Sequence, residues 1–70
     1  MAIAVAVQRL EIGDVLLIDL PEEERQVEAT VVADIDRTDT TVRATLRVAG
    51  REDFAEEWPV GELVTVVRGP

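Results

Sequence analysis

The stretch VEATVVADIDRTDTTVRATLRV, residues 27–48, decides the fold. Val27, Ala29, Val31, Ala33 and Ile35 alternate with Gln26, Glu28, Thr30 and Asp34, and Val32 is the one apolar exception on the polar side. After the polar segment 36–40 the alternation resumes. Val42, Ala44, Leu46 and Val48 fall on one side, and Thr41, Arg43, Thr45 and Arg47 on the other. A period of two sends successive side chains to opposite faces of a strand, so the stretch reads as a β-hairpin with one face for a core. A slip of one residue flips every side chain to the wrong face. One register suits both faces: Ile35 opposite Val42, Ala33 opposite Ala44, Val31 opposite Leu46 and Ala29 opposite Val48. It also sets Asp34 against Arg43 and Glu28 diagonal to Arg47. Opposite charges across strands contribute roughly 0.2–1 kcal/mol each.

Outward from the hairpin, the other segments are shorter. Gly13 and Asp14 signal a turn before the apolar run 15–20, which Pro21 stops. Residues 22–25, EEER, offer no apolar stripe to bury and read as a charged loop. Gly50 ends the hairpin. Residues 53–58 fit strand or helix, because Phe54 and Trp58 share a face under either spacing. Pro59 and Gly61 break the chain, and 63–67 reads as a last strand. At the start, Ile3, Val5 and Val7 alternate with Ala2, Ala4 and Ala6, which fits a strand or a helix of small residues.

Composition narrows the function classes. Seventy residues hold one domain, 1–70, with no linker or internal repeat. The chain has no cysteine and no histidine, so neither a disulfide framework nor a zinc knuckle is available. Stability rests on the 47% of apolar residues, mostly valine, leucine, isoleucine and alanine. The net charge of −8 repels phosphate backbones and favours basic partners. All seven cations are arginine, and lysine, serine, asparagine and tyrosine are absent. The apolar start lacks a basic n-region and is interrupted by Gln8, Arg9 and Glu11, so it does not read as a secretory signal. No apolar run approaches the ~18 residues of a membrane span. Cytoplasmic residence is the expectation.

Five or six short antiparallel strands in so short a chain predict an all-β fold, a small SH3-like barrel or a strongly curled sheet. The entry IGDVLLIDL (12–20), the second strand VEATVVADID (27–36) and the exit WPVGELVTVV (58–67) resemble the SH3-like small barrels, including Tudor-like and KOW-like domains. The resemblance spans residues 12–68 and lies in pattern rather than motif. It supports the fold and carries no ligand. Ala29 stands where KOW-like domains usually carry a glycine, and Phe54 and Trp58 alone cannot build the aromatic cage of a methyl-reading Tudor-like domain.

Each candidate site has a plainer reading. Asp34, Asp36 and Asp39 could converge on a hard cation, but Arg37 sits among them, the EF-hand spacing is absent, and aspartate and threonine make turns well. Glu22, Glu23, Glu24, Glu52, Asp53, Glu56 and Glu57 supply carboxylates with no histidine, cysteine, serine, lysine or tyrosine to cooperate. They read as a solvated acidic surface, and no catalytic residue, cofactor or metal is expected. Arg43 and Arg47, joined by Arg37, could track phosphates, but cross-strand pairing with acids is the stronger reading. Trp58 and Phe54 suit either a core or an interface. The amino-terminal strand, with Val32 outward, could add to another sheet edge or close its own barrel. The expected function is a non-catalytic acidic module that binds a protein or itself through a sheet edge, with Trp58, Phe54, Arg43 and Arg47 as the expected interaction residues. The alternative is a nucleic-acid-associated accessory of transcription or translation.

Overall fold

The computed structural model describes residues 1–67. Six antiparallel strands form one sheet: β1 (Ala2–Ala6), β2 (Val15–Ile18), β3 (Val27–Arg37), β4 (Thr41–Arg47), β5 (Phe54–Pro59) and β6 (Leu63–Val67). Their spatial order is β1-β6-β2-β3-β4-β5. The last strand therefore sits between the first two, and the sheet is open. Of the two expected forms, barrel or curled sheet, the chain adopts the sheet, with β1 and β5 as its outer strands. Residue 68 of the stretch that resembles a small barrel lies outside the described residues.

The amino-terminal segment resolves into a strand over residues 2–6, followed by a single 3₁₀ turn, Val7–Arg9. The turn drops Val7 and Leu10 into the core, where both are fully buried. Residues 53–58, ambiguous in sequence, are extended: β5 runs beside β4 with Trp58 opposite Val42 and Phe54 opposite Leu46. The core collects Leu16, Ala29, Val31, Val42, Ala44, Leu46, Val48, Trp58 and Val66 on the inner face. Among the described residues no polar or charged side chain is buried. Apolar burial alone therefore holds the interior together, at about 25 cal/mol per Å².

The β3–β4 register departs from strict alternation. Val31 stands opposite Leu46 as expected, but Ala33 then faces Thr45, Asp36 faces Arg43, and Arg37 faces Val42. Each step absorbs one extra residue of β3, so two bulges replace the even ladder predicted from the pattern. The expected pairs Ala33 with Ala44, Asp34 with Arg43 and Ile35 with Val42 are accordingly not formed. Asp34 lies in the second bulge with φ of 57°, a left-handed conformation that aspartate tolerates better than most side chains. Val32, the residue that broke the alternation, marks the first bulge. Bulges sharpen the local twist, which bends the long β3 so that its start, 27–30, pairs with β2 and the stretch 30–37 pairs with β4.

Candidate interaction surface

Three of the sequence candidates resolve into structural roles. Trp58 is only 7% exposed and belongs to the core, and Phe54 is half-buried and packs against it. The tryptophan therefore anchors β5 from inside rather than offering an exposed contact. Asp34, Asp36 and Asp39 are exposed and separate: Asp34 in the bulge, Asp36 on the outer face, and Asp39 in the hairpin turn. Thr38 closes that turn. Its Oγ1 accepts from the amides of Thr40 and Thr41 at 3.2 and 2.9 Å. Among the described residues no cluster of acidic side chains converges as a metal site.

The arginines divide by their surroundings. Arg47 makes a two-pronged bond to Asp53, Nε to Oδ1 and an Nη to Oδ2, each 2.9 Å. This hydrogen bond holds the Asp53 carboxyl below the ordinary carboxylate range and raises Arg47. The sequence pointed Arg47 at Glu28, which is diagonal to it as expected, and gave no sign of Asp53. Arg43 stands between Asp36 on β3 and Glu57 on β5, so carboxylates flank it on both neighbouring strands. Arg51 ties the acidic loop to the body of the molecule, donating to Glu22 and lying 3.5 Å from Glu23. That bond lowers Glu22 below its ordinary value. A shallow groove of about 490 Å³ beside it is lined by Leu20, Arg51, Glu52, Asp53 and Phe54. Its arginine is thus already engaged by the loop.

Arg37 has a role that sequence reasoning missed. The two bulges turn it to the inner face, opposite Val42, at the rim of the core. From there its guanidinium donates to the carbonyls of Gln8, at 3.0 Å, and of Leu10. It clasps the 3₁₀ turn that follows β1. Gln8 in turn accepts from the Gly61 amide at 3.1 Å, and the Val7 amide donates to the Glu62 carbonyl at 2.9 Å. The chain leaving β1 is held from both β3 and the β5–β6 turn. No local pattern could reveal an arginine reaching back twenty-nine residues.

The outer strands complete the surface. β5 reads FAEEWP, with Glu56, Glu57 and a terminal Pro59. β1 reads AIAVA, with no charged residue and no proline. Ala2, Ile3 and Ala4 are exposed, and Ile3 is 39% exposed although its face is the core face. An open hollow of about 600 Å³ runs along Ile3, Ala4, Val5 and Ala6 and ends at Gln8, Arg9 and Glu11. An edge strand presents unpaired amides and carbonyls, and proteins commonly guard such edges with charge, proline or a covering segment. β5 carries two of these guards, and β1 carries neither charge nor proline within its length.

Compared with protein-family models, with curated proteins and with solved structures, the chain has no match.

Proposed function

We propose that this protein is a non-catalytic interaction module that binds an extended protein segment by strand addition along β1. The observation that carries the reading is the pairing of an open sheet with one uncharged, unguarded outer strand. Strand addition gains affinity from main-chain hydrogen bonds and specificity from alternate side chains. Here Ile3 and Val5 would meet the partner's side chains on the core face, while Ala2, Ala4 and Ala6 leave the outer face open to close approach.

A non-catalytic role agrees with the electrostatics. Catalytic groups are tuned by burial and by neighbours that split their pKa values. The shifted groups here, Glu22, Arg47, Arg51 and Asp53, are all partners in surface ion pairs. Their shifts reflect those pairs and require no pocket.

A displayed library of extended peptides, followed by amide chemical-shift mapping, tests the reading. Selected peptides are expected to perturb the amides of residues 2–6, and backbone N-methylation of the peptide should abolish binding. Binding that maps instead to β5 or to the Arg51 groove would overturn it.

A further inference from the structure

We infer that the occupant of the β1 edge is the β1 strand of a second copy, joined antiparallel across a two-fold axis at Ala4. The inference rests on the edge-binding reading above and names its partner. The first support is the strand's own symmetry. About Ala4, Ile3 mirrors Val5 and Ala2 mirrors Ala6. An isologous interface needs a surface that complements itself, residue i meeting j while j meets i. In the two-fold register Ile3 meets the second copy's Val5 on the core face, and Val5 meets its Ile3. Alanines meet alanines on the outer face, with Ala4 opposite Ala4. Ile3, opposite Val66 in its own sheet yet still 39% exposed, then gains a second apolar neighbour on its open side.

Charge is the second support. A molecule carrying −8 repels its own copies wherever acid is concentrated. Along β1 there is no charge, and the hollow beside it ends in one arginine and one glutamate, Arg9 and Glu11, which balance. Two copies can therefore meet at this edge without bringing acid against acid. The other edge fails on the same test. Pairing β5 with β5 would confront Glu56 and Glu57 with their copies, and Pro59 has no amide to donate. Head-to-tail pairing of β1 with β5 would leave free ends and grow into a filament, whereas the two-fold pairing closes.

Cysteine scanning tests the register, because the chain contains no cysteine. Directly opposed residues of antiparallel strands have Cα atoms about 4.5–5.5 Å apart, within disulfide range. Ala4→Cys is expected to oxidise to a covalent dimer. Ala2→Cys, some four residues from its own copy in this register, should stay monomeric. In sedimentation, the unmodified chain should show twice the monomer mass. Ala4→Glu and Ala4→Arg should each weaken the dimer about tenfold, and an equimolar mixture of the two should restore it. A monomer at millimolar concentration, equal cross-linking of the two cysteine variants, or a dimer indifferent to Ala4→Glu would each overturn the inference. Peptides from the library that still map to residues 2–6 on such a monomer would leave the edge-binding reading standing alone. Peptides that map elsewhere would remove that reading as well.

Discussion

The two outer strands solve opposite problems. β5 is pinned from within and guarded from without: Trp58 sits in the core opposite Val42, while Glu56, Glu57 and Pro59 discourage any further strand. β1 is held from behind and left open in front. Val7 and Leu10 bury the chain that follows it, Arg37 grips its 3₁₀ turn and Gly61 donates to the turn's Gln8, yet Ala2, Ile3 and Ala4 remain exposed. Edge chemistry and edge anchoring are thus separate properties, set by different residues. A strand can be firmly placed and still offer its free side.

The sharpest way to break the comparison is to remove the anchors in turn. Trp58→Ala should cost about 3–5 kcal/mol, the range for a large buried aromatic. Ile3→Ala should cost about 1 kcal/mol or less, since much of the side chain already meets water. Urea melts of the two variants measure the difference. Equal losses would mean that β1 is as deeply anchored as β5.

The next effect lies in β3. Asp34→Val places a β-branched residue at a φ of 57° and should destabilise by about 2 kcal/mol, whereas Asp34→Gly should be near neutral. If the valine variant kept full stability, the second bulge would not be needed to set the register that presents Arg37. Arg37→Ala should then cost about 1 kcal/mol through its lost bonds to the Gln8 and Leu10 carbonyls. Hydrogen exchange should show faster amides at residues 7–10 than in the parent, with β5 unchanged. Acceleration in β5 of the same size would show that the clasp supports the whole sheet rather than the β1 side.

The smallest effect concerns the guarded side. Asp53 and Glu22 have folded-state pKa values depressed by their arginine partners. Each contributes stability that is complete above the ordinary carboxylate range and is lost as pH falls through the depressed folded value. Both pairs are exposed, so the acid-side loss is slight and fades with salt. Asp53→Asn should flatten part of it. An acid transition unchanged by that variant and by salt would place its origin outside these pairs.

The sequence made some of this architecture legible and concealed the rest for identifiable reasons. Alternation from Val27 to Val31 and from Val42 to Leu46 was enough to show a hairpin and its buried face, because a period of two survives wherever the ladder is regular. It failed between Val32 and Asp36, where a bulge adds a residue without changing the composition. Val32 was visible as an exception, but the shift it announced was not. The edge candidate at residues 2–7 was readable from its lack of charge. Its position depended on β6 lying between β1 and β2, a long-range arrangement that no local pattern encodes. Arg43 and Arg47 were correctly placed on the outer face, and one of their partners was displaced: Asp36, not Asp34, stands against Arg43.

That strand order also sets a timetable. β2, β3, β4 and β5 follow one another in chain and in space, so each can pair with its predecessor as soon as it emerges from the ribosome. β1 cannot. It is the first of the six to be made, but β6, its one sheet neighbour among the described residues, is the last of them to appear. During synthesis this uncharged strand therefore waits longest of the six, with both of its sides bare. A nascent chain stalled before residue 63 should expose residues 2–6 to chaperones and to other nascent copies, and the emergence of β6 withdraws one of those sides.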